Sequence, residues 1–330
     1  MKIVAYGEIM MRLTPYDYVG LSDSISFNAC YGGTESNVLV ALSHLGDETS
    51  FVTKIPNNGL GEGVIRHLLR HSVGVNDIVK EGTTLGIYFL EQGYGTKPSK
   101  VIYHRKDAVV NTLLEADLDY EKIFKNANWF HVTGISLAIS KNSYNVSLRL
   151  CKEAKKRNIK VSFDFNYRST LWSIEEAKKA YKEILKYVDV CFGTVFDINN
   201  FVDISCENDN DTIKKFLEEY NIDYLLNTTR KIIDANTQEL KGNLFTVINN
   251  KTVHYETNSE QFEVLDRIGG GDAFCAGVIH VLNKDYKNIV DALKLGQKCG
   301  ILKHLVRGDV LSLSKNEIDE WINNNKDVIR

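Results

Sequence analysis

Three consecutive glycines, Gly269 to Gly271, run directly into Asp272 within the stretch VLDRIGGGDAFCAG at residues 264–277. The apolar residues on either side predict a strand that ends at EVLD and a helix that starts at Asp272. Backbone N–H groups at the start of a helix bind anions such as phosphate, and glycine lets the backbone approach the anion closely. The stretch therefore predicts an anion site beside a carboxylate.

A carboxylate at Asp272 would repel a bound phosphate unless the carboxylate acts as a base. In that role it accepts the proton of an alcohol that attacks a phosphoryl group, while the N–H groups stabilise the growing negative charge. This is the chemistry of a small-molecule kinase. An aspartate that only caps a helix after a flexible turn explains the same residues equally well, so this stretch alone leaves both interpretations open.

The elements that would position these residues can be predicted from the alternation of the chain after about residue 120. Amphipathic and short apolar segments follow one another, which is typical of βαβ units with a largely parallel sheet; they include NSYNVSLRLCKEAKKRN, IKVSFDF, SIEEAKKAYKEILKYV and DVCFGT. The segment LFTVINNKTVHYE predicts a hairpin that turns at Asn249 and Asn250. We therefore predict an α/β fold.

The first third of the chain has a different character. The stretches YVGLSDSISFNACYGG and TLGIYFLEQGYGTKPSKVIYHR alternate like strands and are rich in tyrosine and glycine, with no helical pattern between their halves. They predict a small antiparallel β lid, formed by about residues 10–32 and 83–108 and inserted on the α/β core. The interpretation is a single domain over residues 1–330.

Composition excludes several classes of protein. The formal net charge of −3 gives no basic field for nucleic acid or an anionic membrane. No segment approaches the about 18 apolar residues of a membrane span, and the six cysteines show no zinc spacing. The first residues lack the apolar core of a signal peptide. We therefore expect a cytoplasmic protein with reduced thiols and a small-molecule substrate.

Two stretches carry a resemblance to a known family. DRIGGGDAFCAG resembles one signature of the ribokinase-like carbohydrate kinases, the phosphofructokinase B family, and YGGTESNVLVALSHLG resembles the other. Within this family GEIMMRL, YFLEQG, PSKVIYHR and FDFNYRSTLW are most similar to the 2-keto-3-deoxygluconate kinases. The resemblance implies a three-layer α/β/α sandwich with a mostly parallel sheet and a β lid. It also implies transfer of phosphate from ATP, with Mg²⁺, to the primary hydroxyl of that sugar acid.

The resemblance assigns roles to individual residues. Asp272 would be the general base, and the N–H groups of Gly269, Gly270 and Gly271 would form the anion hole. Gly32 and Gly33 would let the sugar lie against the backbone. Contacts to the sugar acid are implied for Tyr88, Tyr103, Arg105, Arg168 and Asp309.

The nucleotide is implied to lie on the other side of the glycines, near Thr228 and Arg230 and against Gly269 and Gly271. The family commonly has an N-x-x-E motif that serves Mg²⁺ through water, and this chain has Thr194 and Asp197 at those positions. Asp197 keeps the charge on a shorter side chain, so it is the candidate for a water-mediated metal contact.

Several alternatives stay open at this point. Arg105 and Arg168 suit a carboxylate because arginine binds carboxylates in a bidentate way, but each arginine could instead form a surface salt bridge. Tyr88 and Tyr103 could be strand packing residues. Asn37 fits a sugar contact and a local backbone contact equally well.

The function also has alternatives. The chain could be a kinase for another sugar, such as fructose or 2-ketogluconate, or a sensor that binds a sugar acid without catalysis. The altered residues Thr194 and Asp197 prompt the sensor interpretation, and the retained Asp272 argues against it. Lid strands of this family often pair between subunits, so the resemblance implies a homodimer through the lid.

Overall fold

The computed structural model describes residues 1–94, 97–234 and 236–323. The two residues at 95–96 belong to the predicted lid and lie outside the described residues. Within the described part the strands are β1 (Lys2–Tyr6), β2 (Met10–Pro15), β3 (Phe27–Gly32), β4 (Glu48–Ile55), β5 (Val73–Gly74), β6 (Ile78–Lys80), β7 (Ile87–Glu91), β8 (Lys100–His104), β9 (Ala127–Thr133), β10 (Lys160–Asp164), β11 (Val190–Phe192), β12 (Tyr224–Ile232), β13 (Thr237–Ile248), β14 (Lys251–Glu256) and β15 (Glu260–Glu263).

The helices of the same part of the chain follow the strands in the alternating order that the sequence predicts. They are α1 (Thr34–His44), α2 (Gly59–Arg70), α3 (Tyr120–Phe124), α4 (Gly134–Ala138), α5 (Lys141–Lys156), α6 (Ile174–Ile184), α7 (Val195–Phe201), α8 (Asp209–Tyr220), α9 (Gly270–Lys284), α10 (Ile289–His304) and α11 (Lys315–Asn323). None of the helices in the described residues is both long enough and apolar enough to cross a lipid bilayer.

The large sheet has the strand order β14-β13-β12-β11-β10-β9-β1-β4-β5, and β15 and β6 pair with β13 and β4 outside this path. Strands β12 through β5 in that order run parallel, whereas β13 pairs antiparallel with β12, β14 and β15. The predicted hairpin is present, and Asn249 and Asn250 take the positive φ values of 49° and 63° that its turn requires.

Helices cover both faces of the large sheet. Successive residues of a strand point to opposite faces, so Ile3 and Ala5 of β1 pack in one core with α1, α2, α9 and α10, while Val4 and Tyr6 pack in the other with α3 to α8. Burial on both faces is what a parallel sheet needs, and it explains the continuous apolar runs of these strands. The predicted three-layer α/β/α architecture is confirmed.

A second, smaller sheet forms the lid, in the order β3-β2-β7-β8. Its outer pairs are antiparallel as predicted, but the central pair β2–β7 is parallel, because the chain returns through the large sheet between these strands. All four lid strands fall within the ranges predicted for it. Strand β2 begins at Met10, shortly after β1 leaves the large sheet, so the lid is attached directly at the sheet's carboxyl edge.

Candidate active site

The glycine stretch forms the start of helix α9, and the structure corrects one expectation about it. The helix begins at Gly270 and not at Asp272, because Gly270 and Gly271 take up its first turn and Asp272 is the third helical residue. Gly269 precedes the helix with a φ of 84°, and a Cβ there would overlap the carbonyl oxygen of Asp309. Only glycine suits that position, and as the N-cap residue Gly269 has no side chain to cap the first-turn N–H groups.

Helix α9 points its first turn into a cavity of about 340 Å³ at the carboxyl edge of the large sheet. The structure brings ten of the predicted site residues to the walls of this cavity, although their individual roles stay predictions. These residues are Gly33, Tyr88, Tyr103, Arg105, Arg168, Gly269, Gly270, Gly271, Asp272 and Asp309. The closeness of the lid strands to α9 means that a ligand in the cavity would contact both.

Asp272 is held from one side by an amide. Its Oδ2 accepts a hydrogen bond of 2.7 Å from Asn37 Nδ2, and Asn37 Oδ1 accepts from the backbone N–H of Gly33 at 3.3 Å. The backbone contact predicted as one role of Asn37 is therefore present, and the contact with Asp272 is a further one. Burial raises the pKa of Asp272 to about 7, with Glu35 and Asp309 adding to the rise while Asn37 and Arg168 oppose it.

Gly33 brings α1 against the chain that leaves β1. A Cβ at Gly33 would overlap the carbonyl oxygen of Glu8, so this approach requires glycine. Glu35, the second residue of α1, is almost fully buried, and its Oε1 accepts hydrogen bonds from Thr133 N–H at 3.0 Å and from the Ser136 hydroxyl at 2.6 Å. This arrangement fixes the start of α1, and with it Asn37, relative to the large sheet.

Asp164 is a site residue that the sequence analysis did not assign. It ends β10, lines the cavity, and accepts a 3.1 Å hydrogen bond from the backbone N–H of Asn166. Burial raises the pKa of Asp164 to about 7, Asp272 and Asp197 add to the rise, and Arg168 opposes it. The sequence contains a signal for Asp164, because this residue ends the buried run that precedes Arg168, and Arg168 is predicted to contact the sugar acid.

The two predicted arginines differ in their surroundings. Arg105 is mostly buried, forms an ion pair with Glu8, and lies 5.6 Å from the ring centroid of Tyr103. Arg168 is exposed at the cavity rim and forms no ion pair with any residue that the structure describes. Arg168 is therefore a cation that a ligand carboxylate can reach without displacing a carboxylate of the described residues. Glu8, which the sequence analysis also did not assign, already compensates Arg105.

Tyr88 and Asp309 contact one another. The Tyr88 hydroxyl donates a hydrogen bond to Asp309 Oδ2, and both side chains are buried. The ring centroids of Tyr88 and Tyr103 are 5.8 Å apart, and Tyr103 is exposed on the lid. Tyr88 thus combines the strand packing and the cavity-lining position that the sequence left as alternatives, while Tyr103 is free to contact a ligand.

Of the residues predicted for the nucleotide and the metal, Gly269 and Gly271 line this cavity, whereas Thr228, Arg230 and Asp197 lie outside it. Thr228 and Arg230 are on β12, and Arg230 lies near enough to His304 to lower the pKa of that imidazole, although burial of His304 is the larger cause. His304 fills the space where a Cβ of Gly270 would lie, so Arg230 acts on a residue that packs directly against the glycine stretch. The side chain of Arg230 is exposed to solvent.

Thr194 and Asp197 have a structural role that the sequence analysis did not identify. They form a capping box at the start of α7: Asp197 Oδ2 accepts from the Thr194 N–H at 2.8 Å and from its hydroxyl at 2.7 Å, and Thr194 Oγ1 accepts from the Asp197 N–H. The altered motif therefore stabilises the start of α7, and this structural role accounts for both residues.

Comparison with known proteins agrees with this geometry. A family model described as pfkB family carbohydrate kinase matches residues 1–316. The 2-dehydro-3-deoxygalactonokinase of Haloferax volcanii is 29% identical over 96% of this chain and 95% of its own length. A 5-dehydro-2-deoxygluconokinase of Clostridium perfringens is 27% identical over 89% of this chain and 84% of its own.

A solved structure gives a similar result. The crystal structure of the 2-dehydro-3-deoxygluconokinase of Thermotoga maritima is 33% identical and superimposes with a TM-score of 0.90, covering 98% of this chain and all of that one (100%). The two signatures noted in the sequence, the three-layer fold and these matches agree on one assignment. This chain belongs to the pfkB family of carbohydrate kinases.

Proposed function

We propose that this kinase transfers the γ-phosphoryl group of ATP to the primary hydroxyl of 2-keto-3-deoxygluconate, giving 2-keto-3-deoxy-6-phosphogluconate. One observation carries the proposal: Asp272, with a pKa of about 7, lies at the start of α9 in a cavity that also exposes Arg168. A base, an anion site and a free cation then share one cavity. The cavity volume, about 340 Å³, falls within the range of about 300–1,000 Å³ that is usual for small-molecule sites.

The base is suited to its role. Because the pKa of Asp272 is near 7, the carboxylate is ionised in a large fraction of molecules at neutral pH and is still basic enough to accept the proton of an attacking hydroxyl. Asn37 donates to one carboxylate oxygen and so leaves the other for the substrate. The first-turn N–H groups of α9 stabilise the charge that develops on the transferred phosphoryl group.

Arg168 supports an acidic acceptor. Its guanidinium lies at the rim without a carboxylate partner among the described residues, and a bidentate contact to the acceptor's carboxylate would satisfy it. A neutral sugar would leave this cation facing Asp164 and Asp272 alone. Arg105, paired with Glu8 and set over Tyr103, would border the same end of the acceptor.

ATP would approach the glycines from the side of Thr228 and Arg230. Mg²⁺ would neutralise charge on its phosphates, and the residues present fit such an ion. Asp197 raises the pKa of Asp164, a repulsion between carboxylates that a cation would relieve, and carboxylate oxygens suit Mg²⁺. The described residues contain no set of three or more metal-binding side chains, so Asp197 would act through water and most ligands would come from water and ATP.

The choice of acceptor is the least constrained part of the proposal. The relatives are named for three different deoxy keto sugar acids, so the epimer at C4 is a close competitor of 2-keto-3-deoxygluconate. Fructose and 2-ketogluconate are the further alternatives. The sensor interpretation was prompted by the altered residues Thr194 and Asp197. Their capping role at the start of α7 accounts for these residues and so removes the reason for that interpretation. A cytoplasmic location also stays a prediction.

We propose in addition that the lid mediates a homodimer. Strands β3 and β8 are edge strands of the small sheet, and exposed edges invite pairing. Large apolar side chains are exposed in the lid, on β8 and on the segments that join its strands, including Tyr18, Ile25, Tyr94 and Ile102. Pairing of two lids would cover them.

The first test replaces the base. In Asp272→Asn, kcat should fall on the order of 10²–10⁴-fold, because the amide cannot accept the proton, while the far-ultraviolet circular dichroism spectrum stays unchanged. The measurement is ADP release coupled to NADH oxidation, with 2-keto-3-deoxygluconate as acceptor. Asp291→Asn is the matched control, since Asp291 is the acidic residue in the first turn of α10 and is exposed. A kcat near the wild-type value in Asp272→Asn would reject the assigned base.

The second test uses pH. Since the base must be deprotonated, kcat/KM should rise with pH through an apparent pKa near 7 and level off above it. Asp164 titrates in the same range and is coupled to Asp272, so the profile reports the pair. Asp272→Asn should remove this dependence from the residual activity. A flat wild-type profile between pH 5 and 8 would contradict the proposed protonation role.

The third test concerns the acceptor's carboxylate. Arg168→Gln should raise KM for 2-keto-3-deoxygluconate about 10- to 100-fold, because a charge-assisted contact contributes about 1.5–3 kcal/mol. Wild type is assayed in parallel with the C4 epimer, 2-ketogluconate, fructose, ribose and no acceptor. Arg149→Gln on the outer face of α5 is the control. Turnover of neutral sugars only would keep Asp272 and reject the acidic acceptor.

The fourth test concerns assembly. Light scattering after size-exclusion chromatography should give the mass of two chains, and Ile25→Asp should shift it toward one, because a charge would be buried in the paired lids. Ile232→Asp changes an exposed isoleucine on the β12–β13 hairpin and should leave the mass unchanged. A wild-type mass of one chain at micromolar concentration would refute the lid dimer.

A further inference from the structure

A buried arginine joins the lid to the floor of the active site. Arg12 lies on lid strand β2, yet only 3% of its side chain is exposed. Its guanidinium donates to Asp309 Oδ1 through Nη1 at 2.7 Å, to Asp266 Oδ2 through Nη2 at 2.7 Å, and to the Thr14 hydroxyl through Nε at 2.9 Å. The planar fork of arginine is therefore shared between two carboxylates.

One of these two carboxylates, that of Asp266, organises the glycine stretch. Asp266 Oδ1 accepts from the backbone N–H of Ile268 at 3.1 Å, and Oδ2 accepts from that of Gly308 at 3.1 Å in addition to Arg12. Asp266 thus fixes the chain that enters Gly269 and also the loop that precedes Asp309. Since Gly269 packs on the Asp309 carbonyl, these two loops form one unit under the first turn of α9.

The charges around Arg12 balance. Lys303 is fully buried beside Asp266 and Asp309, and its Nζ donates to the Val306 carbonyl at 3.2 Å. Two cations, Arg12 and Lys303, then face two carboxylates. Burial lowers the pKa of Lys303, while Asp266 and Asp309 oppose that change. Arg12 is the cation that the lid supplies, so the balance depends on the lid being in place.

We propose that Arg12 is a positioning residue of the kinase: acting through Asp266 and Asp309, it fixes Gly269 to Gly271 relative to the lid. The catalytic consequence rests on the proposed function. Buried ion pairs are weak evidence for stability, because desolvation offsets much of their attraction. Here the ion pairs of Arg12 with Asp266 and Asp309 have a second effect, because they hold the N–H donors of the glycine stretch in place. Donors displaced by about 1 Å from the reacting group lower the rate on the order of 10²-fold.

Two variants weaken the ion pair between Arg12 and Asp266, one from each side. Asp266→Asn keeps the shape and the acceptor for Ile268 but removes the charge that Arg12 contacts, and Arg12→Lys keeps the charge but removes the fork. Each should lower kcat on the order of 10- to 100-fold. In Asp266→Asn the acceptor KM should stay within about threefold of wild type, because Asp266 does not line the cavity. The kcat of the double variant should be no lower than that of the less active single variant, since both substitutions weaken the same contact between Arg12 and Asp266.

A matched control separates positioning from stability. Asp189 is a buried carboxylate that accepts from Lys155 at 2.8 Å, from Lys160 at 3.2 Å and from the backbone N–H of Val161 at 2.8 Å. It directly precedes β11, at the amino edge of the large sheet, opposite the cavity. Asp189→Asn should lower the melting temperature as the site variants do and leave kcat unchanged.

A second readout does not depend on activity. Amide hydrogen exchange of residues 268–271, followed by mass spectrometry of the full chain, should be faster in Asp266→Asn and in Arg12→Lys than in wild type and Asp189→Asn. If wild type turns over none of the acceptors, the proposed function fails. The amide hydrogen exchange then still tests whether the contact between Arg12 and Asp266 fixes residues 268–271. Lower melting temperatures together with wild-type kcat and wild-type exchange at residues 268–271 would overturn the proposal. If Arg12→Lys does not fold, Asp266→Asn alone decides the same two readouts.

Discussion

Crowding of carboxyl groups around the start of α9 is the constraint on which the rest of the site depends. Glu8, Glu35, Asp164, Asp272 and Asp309 all line one cavity, and burial raises the pKa of each of them. Parallel strands end at the same edge of a sheet, so the fold itself concentrates these groups there. The protein must compensate most of the charge and keep Asp272 basic.

The compensation is distributed unequally, and this inequality defines the chemistry. Glu8 has Arg105, Asp309 has Arg12 and Tyr88, and Glu35 accepts hydrogen bonds from Thr133 and Ser136. Among the residues that the structure describes, the neutral amide of Asn37 is the one side-chain hydrogen-bond donor to Asp272. Its carboxylate therefore keeps a pKa near 7 and can exchange a proton with a substrate. Arg168 is in the complementary position, as a cation that forms no ion pair with any carboxylate of the described residues.

The sequence predicts what depends on local pattern. The alternation of segments predicts the parallel sheet, and the glycines before Asp272 predict an anion site, because both features are set by neighbouring residues. The start of α9 was predicted wrongly, since glycine disfavours helix interiors and here occupies a first turn that tertiary contacts with Asp309 and His304 fix. The parallel pairing of β2 with β7 was missed because that pairing joins segments separated by much of the large sheet.

Side chains whose role depends on distant partners could not be predicted from the sequence. Arg12 and Asp266 are 254 positions apart, and no spacing rule connects them. Thr194 and Asp197 are the opposite case: their capping box is a local pattern of their own segment, and only the resemblance to a family motif suggests metal binding. A departure from a motif is therefore better examined first for what the new residues do in their own segment.

The two aspartates of DRIGGGD illustrate how environment separates identical side chains. Asp266 accepts hydrogen bonds from two backbone N–H groups and from Arg12, so its carboxylate is held in place by three donors and serves as a fixed anchor. Asp272 follows three glycines that contribute no side-chain donor, and burial beside Glu35 and Asp309 disfavours its charge. The glycines thus have two effects at once. They expose N–H groups to the phosphate, and they keep the neighbouring carboxylate free of the donors that would make it too weak a base.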